Sequence, residues 1–252
     1  MFFYAILPAA ILLYLQQMIL LKYLLYIFIG LSTITTLAQD VDVLDAQVVD
    51  SLYREDQVYI GITFNLLSNK PSSFEQNGLS AGIQAGFIRD FPINKRRNKA
   101  IGIGFGMALD TYNQNLFISD QEGIPSIFEI VDESVENVTN RFTSYTLEMP
   151  IEYRWRTSTA TKYSFWRIHV GMKLGYIVRF NTTYQDNVLD ITSTDIPEIN
   201  KFQYGPSFSF GYGAFNFQGY YGLNNLFNDN ALLNTEEVGI QVMRLGLVFY
   251  FL

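Results

Sequence analysis

Arg167, His169, Lys173 and Arg179 occupy odd positions of one stretch, residues 165–180, which reads FWRIHVGMKLGYIVRF. Trp166, Ile168, Val170, Met172, Leu174, Tyr176, Val178 and Phe180 fill the even positions without a break. Glu148, Glu152, Arg154 and Arg156 alternate in the same way with Tyr145, Leu147, Met149, Ile151, Tyr153 and Trp155. Asp90, Asp110 and Arg244 come from other alternating stretches. Such a set, with both signs present, can pair charges and satisfy hydrogen bonds in a confined space, where an unpaired charge is costly. Acid–base catalysis would need a histidine with a partner. His169 is the one histidine in the chain, cysteine is absent, and no Ser-His-Asp constellation is visible. The expectation is therefore a structural charge network, with no enzymatic activity and no cofactor. One alternative is a narrow charge-lined path for protons or small solutes. A second is an enzyme at the rim that depends on His169.

The elements that carry these residues follow from the spacing. A strict period of two means a β-strand with one apolar and one polar face. Wound as a helix, Arg167, Lys173 and Arg179 would point three ways around the axis at about 100° per residue. Strands in soluble domains usually run about 5–6 residues. A transmembrane strand needs about 9–11, flanked by aromatic girdles where the wall meets the headgroups. Slipping residues 165–180 by one position would put their bases into lipid, at about 2–4 kcal/mol each near the midplane. A long strand of a soluble sandwich is the competing reading, and the recurrence of the pattern along the chain argues against it.

Eight such stretches can be marked, at residues 57–67, 79–90, 100–111, 142–156, 165–180, 201–215, 217–226 and 238–252. Their spacing predicts an all-β fold, an eight-stranded antiparallel transmembrane up-and-down β-barrel. Gly102, Gly104, Gly106 and Ala108 share one face of the third stretch, which suggests a crowded interior. The second, fourth and sixth connections are short, and several of the odd ones are long. Short turns inside and long loops outside is the pattern of bacterial outer-membrane barrels, with both termini periplasmic. Residues 112–141 and 181–200 are read as polar, acidic loops. Pro206 lacks an N–H, so a local bulge is expected there. Asn216 is read into a tight turn.

The chain has 252 residues and a formal charge of −7, with no basic stripe, which argues against a nucleic-acid partner. Residues 1–38 read as a signal peptide cleaved after Ala38, with Met18 as a second candidate start. One or two retained helices are the alternative. Residues 39–56 form a short acidic periplasmic segment, and residues 57–252 form the barrel. Asp50-Ser51-Leu52 resembles an O-glycosylation motif of Bacteroidota.

Three further groups could make contacts. Arg89, Lys95, Arg96, Arg97 and Lys99 gather around one short periplasmic turn, where they could hold lipid headgroups. They could equally bind an acidic envelope protein or the chain's own acidic arm. Asp186, Asp190, Asp195 and Glu198 could gather calcium on one loop, but their spacing matches no EF-hand, so no metal is expected. Arg244, Gly246, Phe249 and Phe251 fit a polar-x-Gly-x-x-aromatic-x-aromatic pattern at the chain end. It resembles the signal by which outer-membrane proteins engage the barrel-assembly machinery during biogenesis.

Residues 53–116 carry a second resemblance. YREDQVYIGITFNLL, then NGLSAGIQAGFIRDFPINKRRNKAIGIGFG, then YNQNL, resemble the PorT-type "porin family" outer-membrane barrels of Bacteroidota. That resemblance implies a barrel embedded in outer-membrane lipid. For some members it implies service in type IX secretion or gliding as part of an envelope machine.

Overall fold

The computed structural model describes residues 56–121, 124–131, 138–157, 165–194 and 196–251. The signal-peptide and acidic-segment readings of residues 1–55 lie outside them, as does Asp195. The strands are β1 (Gln57–Ser68), β2 (Ala81–Pro92), β3 (Lys99–Asn113), β4 (Leu116–Gln121), β5 (Ile124–Ile130), β6 (Thr139–Arg156) and β7 (Trp166–Gln185). There follow β8 (Asp190–Ser193), β9 (Phe202–Tyr212), β10 (Phe215–Tyr221), β11 (Leu232–Leu233), β12 (Glu236–Glu237) and β13 (Gln241–Phe251).

Eight antiparallel strands close on themselves. The order is β6-β3-β2-β1-β13-β10-β9-β7, and pairing of β6 with β7 shuts the ring. Closure removes both sheet edges, as a wall facing lipid requires. Alternation sets the faces. Val58, Ile60, Ile62 and Phe64 of β1 point out, while Tyr59, Thr63 and Asn65 are buried inside. The same rule puts Trp166, Ile168, Val170, Met172 and Tyr176 outside β7, with Arg167, His169 and Lys173 inside.

The two rims differ. At the near rim, where β1 begins and β13 ends, adjacent strands are joined by short turns. The far rim carries the long connections, which hold more structure than a polar loop. Residues 112–141 contain the hairpin β4–β5 and the extended starts of β6 and end of β3. β7 runs on through Gln185 and pairs with β8 in the segment expected to be loop. Leu116, Ile118, Phe128, Ile196, Ile199, Phe227 and Val238 join Phe142, Phe180 and Val242 in one buried apolar cluster. Phe227 lies at its centre, with ring centroids 5.7 Å from Phe128, 5.8 Å from Phe142 and 6.0 Å from Phe180. The far rim is thus a second hydrophobic core, built from side chains remote in sequence.

Three local expectations are corrected. Asn216 lies within β10 and faces inward, fully buried, and the turn falls at Gly213-Ala214. Gly213 takes it with φ of 60°, a conformation that suits a residue without Cβ. Pro206 causes no bulge: β7 and β9 pair through it in constant register. Its missing N–H only interrupts the ladder to β10, which resumes where Leu223 N donates to Tyr204 O at 2.9 Å. The bulge is instead in β7. Tyr145 pairs with Arg179 and Thr146 with Ile177, so Val178 is the extra residue. Ile177 and Phe180 therefore face in, while Val178 and Arg179 both face out.

Candidate functional site

β2, β3, β6, β7 and β13 each supply charged side chains to the interior, because their polar positions share one phase of the pleat. Asp90, Asp110, Glu148, Glu152, Arg154, Arg167, His169, Lys173 and Arg244 are all buried there. Arg179, placed in the lumen on strict alternation, is the exception. The bulge at Val178 turns it to the outer wall, where its Nε donates to Asn181 Oδ1 at 3.0 Å. Arg156 joins the buried set as the next inward residue of β6.

The network has two tiers. Near the near rim, Asp90 accepts from both Arg154 and Arg156. Arg154 also donates to Gln57 Oε1 and lies 5.3 Å from the Tyr250 ring centroid. Arg156 donates to the carbonyl of Arg97 at 3.0 Å, which ties the network to the β2–β3 turn. Deeper in, Glu148 meets Arg244 at 2.6 Å and Lys173 at 3.0 Å. Arg244 reaches on to Asp110 at 3.1 Å and lies 4.4 Å from the centroid of Tyr220. Asn65 donates to the other oxygen of Asp110 at 3.0 Å, and Lys173 donates to Gln84 at 3.0 Å. Each buried charge in this tier faces an opposite charge, and Asp110 and Lys173 add amide partners, the kind of pairing that holds ions in a low-dielectric interior.

His169 lies between the tiers. Its Nδ1 is 3.2 Å from Ser209 Oγ, 3.4 Å from Tyr250 Oη and 3.8 Å from Glu152 Oε2. It is enclosed by the wall, with 2% of its surface exposed. Glycines make room for the long side chains. A Cβ on Gly102 would sit 2.5 Å from Arg154 Cδ, and one on Gly106 would sit 2.2 Å from Tyr59 Oη. Among the described residues the lumen holds a space of about 30 Å³ beside Glu148 and Arg244 and one of about 20 Å³ beside Gln84 and Tyr250. Each has room for a water or two.

The near-rim turn is held firmly. Ile93 N donates to Lys99 O at 2.9 Å, Arg97 N to Asn94 O at 3.0 Å, and Lys99 N to Asn94 Oδ1 at 3.1 Å. Arg97 is half-buried with φ of 57°, while Lys95, Arg96 and Lys99 are exposed. Arg89 belongs to the outer wall of β2, three residues before the strand ends at Pro92. At the chain end, Arg244 points into the lumen, Phe251 points out, and Phe249 packs edge-on against Phe215 at 5.4 Å.

Of the calcium candidates Asp186, Asp190 and Glu198, two are held by other partners. Asp186 takes the backbone N–H groups of Val188 and Leu189 at 2.6 and 2.7 Å, and these hold its carboxyl below the usual range. Glu198 is buried and accepts from Ser126 N at 3.1 Å. Among the described residues no cluster of three metal-ligating side chains occurs. A separate recess of about 490 Å³ opens at the far rim between Asn77, Asn113, Asn115 and Asn140.

The family model for the outer membrane protein beta-barrel domain matches residues 38–228, well over half of the chain. The chain belongs to that family. An outer-membrane β-barrel protein of this kind lies in the bacterial outer membrane, with its apolar wall in lipid. Two solved structures of Ail, the attachment invasion locus protein of Yersinia pestis, are similar in part. The one in complex with the heparin analogue sucrose octasulfate is 14% identical, with a TM-score of 0.36, over 79% of this chain and 100% of Ail. The other is 10% identical, with a TM-score of 0.35 over the same shares. No curated protein matches the chain.

Proposed function

We propose that this barrel acts without catalysis, as a docking subunit of an envelope machine, with its termini and short turns in the periplasm. The observation that carries this reading is the near-rim turn. Lys95, Arg96 and Lys99 stand exposed on a backbone locked by Asn94, and Arg156 ties that backbone to the buried Asp90. A pre-ordered cationic tip loses little entropy on binding an acidic partner. The filled lumen supports the same reading, since spaces of about 30 and 20 Å³ do not make a solute path. His169, walled in by Ser209, Tyr250 and Glu152, offers no open face to a substrate. The resemblance of residues 53–116 to PorT-type barrels favours protein secretion, gliding or outer-membrane assembly as the setting.

The test is a gentle-detergent purification with the tag in the loop near Glu133, leaving the chain end untouched. The expected outcome is a stoichiometric periplasm-facing partner with the wild type and its loss with K95E/R96E, while heat-modifiable migration is unchanged. A folded variant that keeps every partner refutes the docking mechanism. Single-channel current through the wild type, rising on Lys173→Ala, would favour a channel instead.

A further inference from the structure

The bulge in β7 exposes a cation where simple alternation would have hidden it. Arg179 faces outward beside Lys201, which lies next to it because Ile177 N donates to Lys201 O at 2.7 Å. Together with Thr194 they line a cleft of about 280 Å³ whose floor is Ile177 and Ile199. Arg179 spends its Nε on Asn181, which leaves the terminal pair of guanidinium nitrogens. Among the described residues neither Arg179 nor Lys201 is in an ion pair.

Height fixes what can reach this cleft. The outward apolar series on β7 runs from Trp166 to Tyr176, and β9 matches it from Tyr212 to Phe202. Ten residue steps at about 3.3 Å each, tilted by roughly 40°, rise about 25 Å, the height of a barrel's hydrocarbon band. Phe202 and Tyr176, paired across the strands, mark the edge of that band. Lys201 is one residue past that edge and Arg179 three, which is the level of the lipid headgroups.

We infer that Arg179 and Lys201 form a binding cleft for the phosphate of a membrane lipid in the leaflet at the far rim. A guanidinium fork and an ammonium suit a tetrahedral anion. The acyl chains would lie on the outward faces of Tyr176, Phe202 and Tyr204. The bulge has a purpose in this arrangement, since it moves one cation from the lumen to the wall at headgroup height. The inference depends on the belt lying in a bilayer and is independent of the docking role.

The experiment is native mass spectrometry of the refolded full barrel titrated with dioleoylphosphatidic acid. Dioleoylphosphatidylcholine and inorganic phosphate serve as competitors. K70Q/R141Q, which removes the same charge from the same rim outside the cleft, serves as the reference. The wild type is expected to hold phosphatidic acid in preference to phosphatidylcholine, and R179Q/K201Q to weaken it by about ten-fold more than the reference does. An equal fall in both variants would mean bulk electrostatics and would overturn the cleft. Displacement by inorganic phosphate at equal concentration would make it an ion site with no claim on lipid. K201Q alone, at an exposed position outside the strands, repeats the test if the double variant refolds poorly, and no loss there overturns the inference too.

Discussion

Arg244→Met tests the logic of the lumen most directly. Arg244 bridges two carboxylates, Asp110 at 3.1 Å and Glu148 at 2.6 Å. Methionine keeps the apolar stem under Tyr220, so the loss is mainly electrostatic. Glu148 retains Lys173 at 3.0 Å, whereas Asp110 is left with the Asn65 amide alone. Removing one partner of a buried pair costs about 3–5 kcal/mol. Because Glu148 stays paired, the lower end, about 3 kcal/mol, is expected. Adding Asp110→Asn removes the orphaned charge and should return about 2 kcal/mol. The assay is equilibrium urea unfolding of barrels refolded in vesicles, followed by Trp155 and Trp166 fluorescence. Refolding in vitro also separates this role from any part Arg244 plays in the chain-end assembly signal. A single-variant cost under about 1 kcal/mol, or no recovery in the double variant, refutes the paired-network account.

Phe227→Ala should cost about 3–5 kcal/mol locally, because three rings lose their common neighbour, and hydrogen exchange should rise in β5 and around Ile199 while β1–β3 stay protected. Gly106→Ala should destabilise by about 1–3 kcal/mol, since the new methyl would sit 2.2 Å from Tyr59 Oη and 2.7 Å from Ala85 O, read again by urea unfolding. Tyr59→Phe removes a buried hydroxyl that has no hydrogen-bond partner among the described residues, so it should be neutral or mildly stabilising, and a large loss would reveal a partner. The Asp186 turn should be pH-sensitive in a defined direction. The two N–H donors lower its carboxyl in the folded state, so its contribution is present above the ordinary Asp range and is lost as pH falls through the depressed value. The Val188 and Leu189 amide resonances should report a midpoint below the usual Asp value.

The barrel was legible in the sequence because lipid imposes one rule on every strand. Each second residue must be apolar over some ten positions, and Trp166 to Tyr176 show it without a break. Two side-chain contacts were legible for the same reason. Strand order and the short β6–β7 connection place Glu148 beside Lys173 and Glu152 beside His169. Arg179 escaped because Ile177 and Val178 are both apolar, so nothing in the string marks which of them is the extra residue. The Arg156–Asp90 pair reaches across β3, which lies between β6 and β2, so no pairing of neighbouring strands marks it. The far rim was unreadable for a different cause. Out of the bilayer no period is enforced, and Phe128, Ile196, Phe227 and Val238 meet by loop-to-loop packing that a local pattern does not encode.

The two halves of the interior are therefore stabilised by different physics, and this bears on what the barrel can do. Within the band the interior is an ion network whose members depend on one another across β2, β3, β6, β7 and β13. At the far rim the interior holds a packed apolar cluster that includes Phe142, Phe180 and Val242. A solute crossing the barrel would have to break both, desolvating ions in one layer and parting packed rings in the other. A partner at the near rim would have to break neither. It would meet Lys95, Arg96 and Lys99 on a turn whose backbone is already bonded through Arg156 to Asp90. The ion network that fills the lumen also orders this turn through Arg156, which is what the proposed docking role requires.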